Sequence, residues 1–209
     1  MRALNHHRIT RKLALSGAVA AAGLLLAACG GSGDSDGTAH GGRASATASA
    51  SSGASAGTFN DADVMFAQMM IPHHEQALSM AKLADGRAED AEIKQIVAAV
   101  EKAQDPEIRK MKSWLKAWGK PEATAGGHGG HAMAGMLSDA DMTDLAAAKG
   151  REFDRKFAEL MIAHHEGAVE MAKTEQKDGK DPEAKKVADD VVRTQAAEIA
   201  QLRKVLDRL

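Results

Sequence analysis

The chain has 209 residues, of which 44% are hydrophobic and only 3% aromatic, with a formal net charge of −2. That balance offers no basic face for nucleic acid, so no nucleic-acid partner is expected. A single cysteine, Cys29, excludes an intramolecular disulfide.

Residues 1–28 carry Arg2, Arg8, Arg11 and Lys12 and no acid, and 13–28 form an apolar run ending Leu26-Ala27-Ala28 before Cys29. A basic start, a short apolar stretch and small residues at its end predict a signal peptide, too short to span a membrane as a mature helix. The Leu-Ala-Ala-Cys ending resembles the bacterial lipoprotein signal. That resemblance implies lipidation of Cys29 and a protein exported and lipid-anchored on the outer face of the cell membrane, or periplasmic. Removing the signal leaves 23 basic residues against 29 acidic, a net charge of −6. Residues 29–58 are Gly, Ser, Ala and Thr with scattered charge, the composition of a flexible tether. His40 within it reads as a solvated side chain.

Residues 59–209 read as one domain of helices: repeat one at 59–119, a linker at 120–150 and repeat two at 151–209. Asn60, with Asp63 three residues on, caps a first helix running to about Ala84, before Gly86. Pro72 falls inside it and predicts a kink. A second helix runs from about Glu89 to Trp118, with Pro106 as a possible bend, and Gly119-Lys120-Pro121 stops it. Ser138 caps a short helix reaching Lys149, Gly150 precedes a helix over about 151–176, and Asp181-Pro182 opens the last, over about 182–208.

The first and fourth of these helices carry a repeat. Asp63–Lys82 and Asp154–Lys173, 91 residues apart, match at 12 of 20 positions without gaps. Each copy contains Met-Ile-x-His-His-Glu and then Met-Ala-Lys. On a helix, Asp63, Phe66, Met70, His73, Ala77 and Met80 form one stripe, as do Asp154, Phe157, Met161, His164, Ala168 and Met171. His74 and His165 lie about 100° round the helix, towards the stripe's edge. The second and last helices match at the same offset, with Gln104 and Gln195 interrupting apolar stripes. Two helical hairpins that cannot bury their stripes alone predict an antiparallel four-helix bundle of the all-α class.

A histidine in a core stripe is costly unless its ring nitrogens find partners, and singly is most often a satisfied core residue. Here it recurs with a methionine three residues before and seven after. Pseudo-twofold pairing predicts His73 near His164. Imidazole with thioether is a soft donor set that favours Cu(I), with other transition metals as alternatives. The candidate ligands are His73, His74, His164, His165, Met70, Met80, Met161 and Met171. Gln104, Gln195, Asp63 and Asp154 are candidates for holding the ligands in place, though a buried glutamine also serves simply to fix bundle register. Met65, Met69, Met111 and Met142 read as core filler. A carboxylate di-metal centre needs Glu three residues before His, and Met70 and Met161 stand there instead. Glu107 and Glu198 read as solvated. A second candidate metal site is the Gly-rich linker with His128, His131, Met133 and Met136, whose alternative is a linker of biased composition.

The doubled Met-Ile-x-His-His-x-x-Ala-x-x-Met-Ala segment is similar to the family called domain of unknown function 305. So are Asp63/Phe66 and Asp154/Phe157 upstream, and Gln104-x-x-Glu107-Ile108 and Gln195-x-x-Glu198-Ile199 downstream. The resemblance covers about 59–209. It implies a ferritin-like four-helix bundle, often exported, with some members resembling copper-binding metallochaperones or copper-resistance proteins. The functional expectation is extracytoplasmic copper buffering, delivery or resistance, with a metal donor or acceptor protein as a further partner. The alternatives are a metallo-oxidoreductase using the same core and a metal-free helical interaction module.

Overall fold

The computed structural model describes residues 58–122 and 133–209. The predicted signal peptide (1–28), Cys29, the tether up to residue 57, and His128 and His131 lie outside them. The described residues form five α-helices and no strand: α1 (Asp61–Leu83), α2 (Ala91–Trp118), α3 (Asp139–Ala147), α4 (Gly150–Asp178) and α5 (Pro182–Arg208). None is long and apolar enough to cross a membrane.

The helix starts follow from local chemistry. Asn60 accepts from the N–H groups of Ala62 and Asp63, while Asp63 accepts from the Asn60 N–H, closing a capping box on α1. Ser138 and Asp141 do the same for α3. Asp90 and Asp181 cap α2 and α5, and Pro182 stands at the first position of α5, where its missing N–H costs nothing. Gly119 ends α2 in the left-handed conformation at φ 66°. α4 starts at Gly150 without a side-chain cap and runs to Asp178, two residues past the expected end. Pro72 and Pro106 sit inside continuous helices.

α1 packs on α2, α4 on α5, and α1 on α4, while α3 touches both α1 and α4. Two aspartates fix the direction of the central pair. Asp63, at the start of α1, accepts from Lys180 N–H (3.0 Å) and Asp181 N–H (2.8 Å), in the turn after α4. Asp154, at the start of α4, accepts from Glu89 and Asp90 in the turn after α1. The two helices therefore run antiparallel.

The apolar core divides in two. One cluster holds Met80, Ile93, Ile96, Phe153, Phe157, Met161 and Leu202, with Leu145 of α3. The other holds Phe66, Met70, Ile108, Met111, Leu115, Met171 and Val191. In every long helix the residues between these sets are polar: His73 and His74, Gln104, His164 and His165, Gln195. All six are buried.

Candidate metal centre

The two repeats place one histidine from α1 and one from α4 face to face. The His73 and His164 rings have centroids 3.7 Å apart and are tilted by 36°. Both side chains are essentially inaccessible, and none of their four ring nitrogens has a hydrogen-bond partner. Four orphaned nitrogens in one buried pair are rare, since leaving such a group unsatisfied costs about 1–3 kcal/mol. Burial first, and then the neighbouring His74, press His73 from its ordinary 6.5 down to about 3. Burial followed by His73 drives His164 down further still. Both rings are therefore neutral at pH 7, the form that ligates metals.

His74 and His165 are the next helical neighbours and are also fully buried. His74 Nε2 lies 2.8 Å from Glu107 Oε2, and His165 Nε2 lies 2.7 Å from Glu198 Oε2. An ionised carboxylate can only accept, so Nε2 carries the proton and Nδ1 presents a lone pair. Both Nδ1 atoms are buried and unpartnered. Glu107 and Glu198 are thus not the solvated side chains expected. They are half-buried partners that set the tautomer of a histidine, and the signal was present in their recurrence three residues after Gln104 and Gln195. Those two glutamines lie in the same polar layer, each with an unpartnered Oε1.

The other expected residues spread outwards from this layer. Met80 and Met161 pack in one apolar cluster and Met70 and Met171 in the other, so the four thioethers flank the histidines from both ends. Met70 and Met161 each stand one turn before a paired histidine. Asp63 and Asp154 are ten residues, about 15 Å of helix, from His73 and His164. There they bind the interhelical turns described above.

Across the face of the pair runs the end of the linker. Gln76 holds it with two hydrogen bonds to Leu137, one to the carbonyl at 3.0 Å and one from the N–H at 2.8 Å. Gly135, at φ 79°, lies so close to α4 that a Cβ there would meet the carbonyls of Ala163 and His164 at 2.7 and 2.8 Å. Gly167, which takes the place of Gln76 in the second repeat, leaves room for Ala134. The Ala134 carbonyl approaches His73 without closing a hydrogen bond. Met133 and Met136 of the linker are half-buried.

A second group of acids was not foreseen. Glu175 of α4 is buried with its carboxyl against that of Asp63, to which the protonated acid donates. Burial and then Asp63 raise Glu175 to about 8. Burial also pushes Asp63 up. The neighbouring Glu175 and the N–H groups of Asn60, Asp181 and Lys180 outweigh it and hold Asp63 below the usual range. Glu175 replaces the Ala84 of the first repeat.

Among the described residues, no three His, Cys, Asp or Glu side chains gather closely enough to hold a metal ion between them. The arrangement is instead a facing pair of neutral imidazoles with thioethers beyond. Two nitrogens suit a soft cation of low coordination number, and the absence of a carboxylate cage disfavours Mg, Ca or Mn.

The profile of DUF305, a domain of unknown function, matches residues 63–206. The chain belongs to the DUF305 family. Among solved structures, a DUF305 fragment from Deinococcus radiodurans is 32% identical with a TM-score of 0.64, covering 72% of this chain and 98% of that one. A DUF305 protein from Streptomyces coelicolor, whose name carries the word secreted, is 29% identical with a TM-score of 0.65, covering 70% and 93%. CopM in its Cu(II)-bound form is 37% identical with a TM-score of 0.62, covering 70% and 96%. CopM has also been solved in Cu(I)-bound, Ag-bound and apo forms. No curated protein matches the chain significantly.

Proposed function

We propose that this DUF305 protein is an extracytoplasmic copper-binding lipoprotein that takes Cu(I) at the His73–His164 pair and buffers or delivers it. The observation that carries the reading is the pair itself, two neutral imidazoles with four unpartnered nitrogens in a closed core. An apo protein retains such an arrangement at a cost in stability, and a bound cation removes that cost. CopM, more than a third identical over most of its length, is described in Cu(I)-, Cu(II)- and Ag-bound forms, which supports the same class of ligand here.

A bound ion then draws in His74 and His165 as accessory ligands through Nδ1, each oriented by Glu107 or Glu198. Met70, Met80, Met161 and Met171 supply sulfur close to the pair, in a core that holds no cysteine. His128, His131, Met133 and Met136 form a capture segment in the linker. The fold that carries these groups is an antiparallel four-helix bundle of two repeated hairpins, α1–α2 and α4–α5, spanning 59–209. Residues 1–28 direct export, Cys29 carries the lipid, and 29–58 tether the domain to the outer face of the membrane. The word secreted in the name of the Streptomyces coelicolor relative supports that location.

X-ray absorption on protein loaded with one equivalent of Cu(I) tests the ligand set. The reading expects a first shell with at least two imidazole nitrogens and one or more sulfurs. A shell of sulfur alone, or of oxygen, overturns it.

A further inference from the structure

Beside the histidine layer, α1 and α4 leave a cavity of about 450 Å³, lined by Met65, Phe66, Met69, Ala134, Met171 and Glu175, with Asp61, Glu170 and Asp178 among the rest of its wall. Methionine is ordinarily spent on filling gaps in a core. Met65 does not do so: it is 56% exposed and stands out as the exposed large hydrophobic residue of the described chain. Met65 and Met69 are four residues apart, hence on the same face of α1, and Met171 faces them from α4. Three thioethers from two helices therefore open on one space.

The cavity is not a by-product of the repeat. The residues equivalent to Met65 and Met69 in the second copy are Lys156 and Leu160. The corresponding groove at the other end of the α1–α4 pair is occupied by α3, whose Leu145 and Met142 join the core there. At the open end no segment of the described chain takes that place. The groups present are sulfur, the buried carboxyl of Glu175, which meets Asp63, and a rim of carboxylates. Soft sulfur donors with negative charge around them select a soft cation over a hard one, and the rim raises its local concentration.

We infer that this cavity is a second binding site for a monovalent soft cation, Cu(I) or Ag(I), held by Met65, Met69 and Met171. It rests on the reading of the chain as a soft-metal protein; Met65 and Met69 belong to it alone, while Met171 stands between it and the histidine layer. Its wall includes Ala134, whose carbonyl approaches His73. One residue, Ala134, thus touches both the cavity and the buried pair, and an ion arriving from solvent meets thioethers there before reaching the imidazoles.

The test is to count Ag(I) ions on the full chain by native mass spectrometry under non-reducing conditions, with ¹³C-methyl methionine NMR as a second readout. The proteins compared are wild type, Met65→Leu/Met69→Leu and His73→Ala/His164→Ala. Leucine keeps the volume and apolar character of methionine, so the first variant retains the fold. The inference expects that variant to carry one Ag(I) fewer than wild type, and the Met65, Met69 and Met171 methyl signals to shift in wild type. It expects the histidine variant to keep that ion. An unchanged count in Met65→Leu/Met69→Leu, with the Met65 and Met69 methyl signals of wild type unmoved by Ag(I), overturns the second site and leaves the histidine reading standing. Loss of the same ion in the histidine variant overturns its independence. An unchanged count in the histidine variant, with the ion lost only from the methionine variant, overturns the histidine reading and leaves this one.

Discussion

His74 and Glu107 are joined at 2.8 Å across the α1–α2 interface, and the fully buried ring is held by a half-buried carboxylate. The contact recurs between His165 and Glu198 at 2.7 Å. Its chemical effect is to place the proton on Nε2 and leave Nδ1 as the donor atom. Replacing both carboxylates, Glu107→Ala/Glu198→Ala, frees the rings to turn and to exchange tautomers. Cu(I) affinity is then expected to fall by about 10–100-fold, the usual loss when a partner behind a ligating histidine is removed. Competition titration checks this. An unchanged affinity would mean that His74 and His165 stand outside the site.

The buried pair should destabilise the metal-free protein. In His73→Leu/His164→Leu the unpartnered nitrogens are replaced by apolar atoms of similar bulk. The apo variant is expected to gain about 1–3 kcal/mol, a rise of several degrees in Tm at this size, while losing its stabilisation by metal. A lower Tm with metal response intact would show that the rings are held by interactions other than a bound cation.

The same pair sets an acid limb. The folded-state pKa of His73 is about 3 against 6.5 for an unfolded histidine, and His164 is shifted the same way. Between those values the unfolded chain binds protons that the folded chain does not. Stability is therefore fully present above pH 6.5 and falls as pH drops towards 3. Urea unfolding of the apo protein at a series of pH values should show this decline, and it should be shallower in His73→Leu/His164→Leu.

Glu175 acts in the opposite sense. Its folded-state value of about 8 lies above the ordinary 4.5, so its contribution is fully present below pH 4.5 and is lost as pH rises to 8. Glu175→Gln removes the ionisation and keeps the shape. The variant is expected to be more stable than wild type at pH 8.5 by several degrees in Tm, with the difference vanishing near pH 4.5. A variant less stable at both pH values would refute the account of Glu175 as a buried neutral acid beside Asp63.

The packing of the linker on α4 depends on one glycine. A Cβ on Gly167 would fall on the Ala134 carbonyl. Gly167→Ala should therefore lift the segment around Ala134 from the helix, and amide exchange at residues 134–137 should speed up while that of α4 does not. Equal protection in both proteins would contradict the close approach.

Much of this was legible in the residues, and the reasons are local. Asn60 with Asp63, Ser138 with Asp141 and Asp181 with Pro182 announce helix starts because the cap is made within four residues. The position of the histidines in a core stripe is legible for the same reason, since a seven-residue spacing defines a face. What crosses between helices was not. Glu107 and Glu198 looked like solvated charges because nothing along α2 or α5 says which side chain of α1 or α4 will face them. Asp63 and Asp154, read as supports for the site, turned out to bind turns at the far ends of the antiparallel pair, a role set by helix length. The departures from the repeat, Gln76 against Gly167 and Ala84 against Glu175, carried the remaining information. They mark where the linker packs and where a lone acid is buried, and neither could be placed without the fold.

The central claim is that His73 and His164 together hold one Cu(I). It is tested most directly by anaerobic Cu(I) titration against a competing chromophoric chelator, comparing wild type with His73→Ala/His164→Ala. The account predicts a tight, near-integral equivalent in wild type that the variant lacks, with circular dichroism showing both proteins equally helical. Equal binding by the two proteins, or none by either, would contradict it.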